Sequence, residues 1–324
     1  MKKIILICGL IRKIDILYKS IDIYIKLREE KIIDEIVICT DKYIHDNLNG
    51  NIINDTLRLH CNKNNIKIIE HETLNIEHIE HIDPIVKNRP ICPCRKKNNS
   101  ISLWREIYNV KIGLENLIEN SFVLKTRTDC FLTYDIIKKI FTNYLIKLED
   151  NSILNYKIWA PSFRYAEQLF ITDYMFAGYR NDLLKTTKLD GSILEWGNKS
   201  PTGFNNMNTI WWIYLFKSNN SIIQKYVETY VNSNTEIKTY KEDLYYSAIA
   251  NYFYLLDKYF IIDSGYNDIT MYPSWGGSGI LNSSDNTLEF NNHCNSNWIN
   301  NFKKKLFNYD LVLNQIYNKF ILLS

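Results

Sequence analysis

The residues best suited to chemistry stand at the end of a short apolar run, where Lys125-Thr126-Arg127-Thr128-Asp129 follows Phe122–Leu124. A carboxylate such as Asp129 can hold a divalent cation, and such cations bind phosphates. Lys125 and Arg127 can also contact a phosphate directly. Strand alternation predicts Arg127 and Asp129 on one face. Two interpretations are open: a nucleotide-sugar site, or an Arg–Asp ion pair that closes a strand end.

A second pair of acids, Glu242 and Asp243, stands at the head of a predicted helix over residues 241–256. Transfer of a sugar with inversion needs a carboxylate that takes the proton of the acceptor hydroxyl, an effect of roughly 10²–10⁴ in rate. Acids in a first helical turn are also stabilised by the free backbone N–H groups. The pair therefore has a catalytic and a helix-capping interpretation.

Gly9 and Arg12 follow the first predicted strand, at residues 4–8. The loop after the first strand of a doubly wound sheet approaches the nucleotide. Gly9 permits close backbone approach, and Arg12 can pair with a phosphate, although a simple turn explains both equally well. Asp41, at the end of the second predicted strand, joins the predicted binding set. Because the chain lacks Gly-x-Gly-x-x-Gly and Gly-x-x-x-x-Gly-Lys, dehydrogenase and phosphate-loop folds are disfavoured.

Two further positions are candidates for ligand contacts. Asp173 and Gly178 lie in an aromatic-rich segment, residues 171–179. Asp173 is interpreted either as a sugar contact or as a buried structural acid. His293 is a candidate metal or phosphate ligand, with a purely structural role as the alternative.

The candidate residues lie in a chain whose predicted strands and helices alternate. This alternation is typical of a parallel sheet with covering helices. The apolar runs predict strands at 4–8, 36–39, 66–69 and 122–124, and the 3.6-residue periodicity predicts helices at 15–30, 102–120, 134–147, 241–256 and 297–322. We expect one domain at 1–265, with a nucleotide-binding half at 1–150 and an acceptor-binding half at 151–265. Residues 266–324 are expected to form a C-terminal helical extension packed on it.

Composition narrows the function classes. The 324 residues are 46% hydrophobic and 14% aromatic, and this composition excludes a disordered chain. The net charge of +3 is too small to indicate the basic face of a nucleic-acid-binding protein. No run reaches the roughly 18 apolar residues that span a bilayer. Seven scattered cysteines are interpreted as reduced thiols of a cytoplasmic protein. A peripheral contact with the inner membrane face stays open.

Several segments together resemble the WavE-type lipopolysaccharide synthesis family. They are Trp104–Tyr108, Gly113-Leu114, the strand ending in Lys125-x-Arg127-x-Asp129, and Ile171–Gly178. The resemblance implies a GT-A-type glycosyltransferase with a Rossmann-like mixed sheet, which uses Mn²⁺ or Mg²⁺ bound by an Asp-x-Asp motif. That motif corresponds to residues 127–129, where Arg127 replaces the first acid. The Glu-Asp of inverting members corresponds to Glu242-Asp243, with Asp243 as the base.

The sequence therefore predicts a glycosyltransferase that moves a sugar from a nucleotide-diphosphate donor to a glycan or lipopolysaccharide-type acceptor, with inversion. The alternative is a non-catalytic glycan-binding or scaffold protein with a degenerate transferase fold. The Arg at the first position of the metal motif is the reason for that alternative.

Overall fold

Ten strands and seven helices make up the part of the chain that the computed structural model describes, residues 1–11, 14–42, 55–72, 101–150, 152–161, 171, 174–187, 211–212, 215–232, 242–262, 269–271 and 279–280. In chain order they are β1 (Lys2–Cys8), α1 (Ile14–Glu29), β2 (Glu35–Asp41), α2 (Asp55–Lys63), β3 (Lys67–His71), α3 (Ile101–Glu115), β4 (Ser121–Arg127), β5 (Cys130–Leu132), α4 (Tyr134–Asn143), β6 (Ile158–Ala160), β7 (Phe176–Tyr179), α5 (Arg180–Thr186), α6 (Ser221–Asn232), α7 (Glu242–Tyr259), β8 (Phe260–Ile262), β9 (Ile269–Met271) and β10 (Gly279–Ile280).

Seven strands form one mixed sheet in the order β3-β2-β1-β4-β7-β6-β8. The neighbours β3, β2, β1 and β4 are parallel, whereas β7 runs antiparallel to both β4 and β6. The chain moves outward from β1 to β2 and β3, then returns to β4 on the other side of β1. The direction of winding therefore reverses between β1 and β4, and this reversal creates a crevice at the carboxyl ends of the two strands.

Helices cover both faces of this sheet because the strands are apolar on both sides. Ile5 and Ile7 of β1 belong to the core under α1 and α4, while Leu6 faces α3 at Gly113. A Cβ on Gly113 would stand 3.0 Å from Leu6 Cδ1 and 3.2 Å from Cys39 Cβ. The glycine thus lets α3 lie close against β1 and β2.

A second, three-stranded antiparallel sheet has the order β10-β9-β5. It joins residues 269–280 to β5, the strand that directly follows the β4 turn. The predicted domain limits stay a prediction, and the predicted helix at 297–322 lies outside the described residues.

The predicted α/β class, a mixed sheet flanked by helices, is confirmed. Each predicted strand overlaps β1, β2, β3 or β4. The helix predicted at 102–120 was too long, since α3 ends at Glu115. Arg180 contributes to this end, because its Nε donates to Leu114 O at 2.7 Å and its Nη2 donates to Glu115 O at 3.2 Å, while Leu117 N donates to Leu114 O at 3.1 Å in a tighter last turn. The helix predicted at 134–147 was also too long, because α4 ends at Asn143.

No helix in the described ranges is long and apolar enough to cross a bilayer.

Candidate functional site

The candidate site lies at the carboxyl ends of β1 and β4, where the winding of the sheet reverses. Gly9 follows β1 with φ at +115°, a conformation that glycine adopts readily and L-residues rarely. Its backbone N–H donates to Cys39 O at 3.2 Å. A Cβ there would meet nothing nearer than Thr128 Oγ1 at 3.9 Å. Backbone conformation, rather than lack of space, therefore requires this glycine.

The loops after β1 and β4 are tied together directly. Thr128 Oγ1 donates a hydrogen bond to Leu10 O at 2.7 Å. Ligand contacts from Gly9 and from residues 127–129 would therefore come from adjacent backbone.

Arg127 and Asp129 contact each other in a two-point ion pair. Arg127 Nε donates to Asp129 Oδ1 at 2.8 Å, and Nη2 donates to Oδ2 at 2.9 Å. The strand ends at Arg127, so Asp129 reaches it from the following turn rather than through strand alternation. This is the ion-pair geometry that the sequence left open, and it uses both carboxylate oxygens.

Lys125 is completely buried. Its Nζ donates to Glu106 Oε1 at 3.2 Å and to the Tyr174 carbonyl oxygen at 3.3 Å. The rings of Phe176 and Trp211 each lie 5.2 Å from it, within the range of cation–π attraction. In this arrangement Lys125 acts through Glu106, because its ammonium has no exposed surface with which to contact a ligand.

Glu106 is the site residue that sequence reasoning missed. It lies on α3 between the two cations, with Oε2 3.7 Å from Arg127 Nη1 in addition to its contact with Lys125. The signals in the sequence were its place on a helix that precedes β4 and its position inside the segment Trp104–Tyr108. The four side chains Glu106, Lys125, Arg127 and Asp129 form what we call the charged quartet, with two cations and two carboxylates.

Electrostatics keep Arg127 cationic. Burial lowers the pKa of its guanidinium, but the neighbouring Glu106 and Asp129 carboxylates outweigh that effect and hold the pKa above its usual value. The Tyr174 ring lies 5.4 Å from the guanidinium carbon. Nearly a quarter of the side chain, 23%, remains exposed, so Arg127 is the cation of the quartet that a ligand can reach.

Gly178 lies inside β7, opposite Val123 of β4. A Cβ there would stand 3.0 Å from Leu183 Cδ2 and 3.3 Å from Ile158 Cγ1. The structure thus gives Gly178 a packing role under α5, and its predicted sugar contact stays a prediction.

The remaining predicted residues are described only in part. Asp41 is the last residue of β2 and pairs with His71 at the same sheet edge. Glu242 and Asp243 are the first two residues of α7, as the predicted helix start requires. Arg12, Asp173 and His293 lie outside the described residues, so their roles stay predictions.

The described residues do not fit a divalent cation. Within the described ranges, no three His, Cys, Asp or Glu side chains come together as a metal site. Asp129 directs both oxygens to Arg127, and Glu106 Oε1 accepts from Lys125. The metal role of Asp129 stays a prediction that this geometry does not support, and the metal role of His293 concerns a residue outside the described ranges.

Comparisons with known proteins give distant similarities. No protein-family model and no curated protein matches the chain. Among solved structures it is similar to TarS residues 1–349 of S. aureus, at 12% identity over 78% of this chain and 80% of that chain, with a TM-score of 0.34. The same TarS segment in complex with UDP is 13% identical over 80% of this chain and 66% of that chain, with a TM-score of 0.31. The chain is also similar to glucosyl-3-phosphoglycerate synthase from Mycobacterium tuberculosis in complex with Mn²⁺, UDP and phosphoglyceric acid. The identity is 12% over 84% of this chain and 87% of that chain, with a TM-score of 0.31. At these TM-scores the likeness carries no weight for the chemistry of this protein.

Proposed function

We propose that the protein is a nucleotide-sugar-dependent glycosyltransferase that binds the diphosphate of its donor at the carboxyl ends of β1 and β4. One observation carries the proposal: an oriented, partly exposed guanidinium, Arg127, lies beside the Gly9 loop at the reversal of the sheet. Ligands of open α/β sheets bind at such reversals, and a guanidinium suits phosphate oxygens.

The other predicted binding residues surround this point in the proposal. Gly9 offers its backbone at close range, and Arg12 in the same loop adds a second cation. Asp41, at the carboxyl end of β2, contacts the nucleoside. Asp173 contacts the sugar, since its neighbour Tyr174 lies against Arg127.

Asp243 acts as the base in this proposal. It would take the proton of the acceptor hydroxyl as that oxygen attacks the anomeric carbon and the bond to the diphosphate breaks, which inverts the configuration. The path of α7 supports this role. Its last turns contact the amino end of β6, where Lys157 Nζ donates to Asp257 O at 2.6 Å. Asp243 stands 14 residues earlier in the same helix, about 21 Å away along the helix axis. This length is enough to reach from the amino ends of the strands to their carboxyl ends.

A screen of common nucleotide sugars for donor hydrolysis tests the activity, with release of UDP or GDP as the readout. We expect turnover with at least one donor and its loss in Asp243→Asn. Glu242→Gln removes the neighbouring charge from the same helical turn and tests whether the second acid of the pair also takes part in catalysis. Unchanged turnover in Asp243→Asn would contradict the assignment of the base, and no turnover with any donor would count against the enzyme.

A non-catalytic glycan-binding or scaffold protein is the second candidate. It is favoured by the charge balance of the quartet, in which each carboxylate already faces a cation. Thermal unfolding with a panel of nucleoside diphosphates separates the two candidates. A shift with UDP or GDP supports the transferase, and the absence of any shift supports the binding protein.

A further inference from the structure

We propose that Arg127 holds the nucleoside diphosphate without a divalent cation, and that Asp129 positions this guanidinium instead of binding a metal. This inference rests on the proposed function. It departs from the metal requirement that an Asp-x-Asp motif would impose.

The first step is the state of the carboxylates. A divalent cation binds through carboxylate oxygens, and those of Asp129 each accept a hydrogen bond from Arg127, at 2.8 and 2.9 Å. A metal at Asp129 would have to displace this charge-assisted pair and would then face the guanidinium at close range. Like charges at that distance disfavour both ions.

The second step is the local charge. Two carboxylates beside a diphosphate would repel it unless a cation offset them. Here Lys125 offsets Glu106 at 3.2 Å, and Arg127 offsets Asp129 at 2.8 Å. The approaching diphosphate therefore meets no uncompensated acid in the quartet, and no further cation is needed to offset one.

The third step is the number of donors on Arg127. A guanidinium carries five N–H groups. Two of them donate to Asp129, and the contact with Glu106 at 3.7 Å is too long for a hydrogen bond. Among the described residues, three N–H groups thus have no hydrogen-bond partner. With 23% of the side chain exposed, they can reach phosphate oxygens.

The fourth step is orientation. The guanidinium donates two hydrogen bonds to Asp129 and lies near the Glu106 carboxylate of α3. The Tyr174 ring lies 5.4 Å from the guanidinium carbon. A donor fixed before the ligand arrives loses less conformational entropy on binding. Lysine at this position would keep the charge and lose the planar fork.

The test is calorimetric titration of the full chain with UDP and with GDP, in EDTA and in Mn²⁺. We expect dissociation constants that agree within about threefold between the two conditions, since no metal takes part. Arg127→Met should weaken binding in EDTA by about tenfold or more, and Arg127→Lys by an intermediate factor, as expected for losing charge-assisted hydrogen bonds. Asp129→Ala should weaken binding in EDTA by about threefold or more, because Arg127 then loses both acceptors that orient it. Asp129→Asn should restore part of that loss, because its amide oxygen can still accept from Arg127 Nε.

The outcomes separate this inference from the proposed function. Binding that requires Mn²⁺ overturns the inference and leaves the transferase standing. Binding in EDTA that is unchanged in Arg127→Met overturns it as well. No binding under either condition overturns both. The EDTA comparison uses the unaltered protein, so it remains decisive even if a variant fails to fold.

Discussion

Replacing Lys125 by Met should destabilise the protein by removing one half of a buried ion pair. Lys125 has no exposed surface and Glu106 is 16% exposed. Methionine has nearly the same length and packs well against Phe176 and Trp211, the rings that flank the ammonium. The change therefore leaves little cavity, and its cost comes from Glu106, whose carboxylate loses its nearest cation.

The magnitude follows from what Glu106 retains. Removing one partner of a fully buried pair costs about 3–5 kcal/mol. Glu106 keeps some solvent contact and still has Arg127 at 3.7 Å, so we expect about 2–3 kcal/mol for Lys125→Met. Glu106→Gln should cost a similar amount because it leaves a buried ammonium facing an amide. The double variant carries neither charge, and a buried pair removed as a whole is often nearly neutral. We expect it within about 1 kcal/mol of the original protein.

Urea unfolding followed by tryptophan fluorescence and circular dichroism measures all four members of this cycle. Lys111→Met is the matched control, since Lys111 lies on α3 in an exposed pair with Glu115 at 3.8 Å and should change the unfolding free energy by less than about 1 kcal/mol. If the two single changes at Lys125 and Glu106 simply add in the double variant, the pair is not coupled and the reasoning is refuted.

Two further predictions concern packing and burial. Gly113→Ala should lower the unfolding free energy by about 1 kcal/mol in a urea titration, because the strain of a Cβ 3.0 Å from Leu6 exceeds the roughly 1 kcal/mol gained in helix propensity; a more stable variant would show that the strand yields. Burial and the Asp129 carboxylate raise the pKa of the Cys130 thiol to about 12, so iodoacetamide at pH 8.5 should leave Cys130 unmodified in the folded protein and alkylate it in urea, as read by peptide mass spectrometry. The stability that the neutral thiol contributes should be lost as the pH rises from about 9 towards 12, and alkylation of Cys130 under folded conditions would contradict its burial.

Four of the seven strands of the main sheet, β1 to β4, could be predicted because their signals are local. The strands β1 and β4 are continuous apolar runs, and α1 has its buried side chains at helical spacing. What the sequence did not reveal depends on distant partners. The pairing of Lys125 with Glu106 joins residues 19 apart, and the end of α3 depends on Arg180, which follows 65 residues after Glu115. Neither pairing leaves a pattern within a helical or strand period.

The charged strand end could be located from the sequence, but the contacts among its side chains could not, for the same reason. The order Lys-x-Arg-x-Asp marks a charged strand end, and this much is local. Whether Asp129 is available to a metal depends on the direction of the Arg127 side chain, which the residue types alone do not determine. In the structure both carboxylate oxygens of Asp129 accept from that side chain.

The helix α3 links the packing of the sheet to the geometry of the site. Its carboxyl end is held by Arg180, which donates to Leu114 O and Glu115 O, and near that end Gly113 fits against β1 and β2. Glu106 lies seven residues before Gly113, about 10 Å away along the same rigid helix. A shift of α3 at its glycine contact would therefore move Glu106 relative to Lys125 and Arg127. The orientation of the guanidinium thus depends on close packing far from the exposed edge, since interior contacts transmit displacement rather than absorb it.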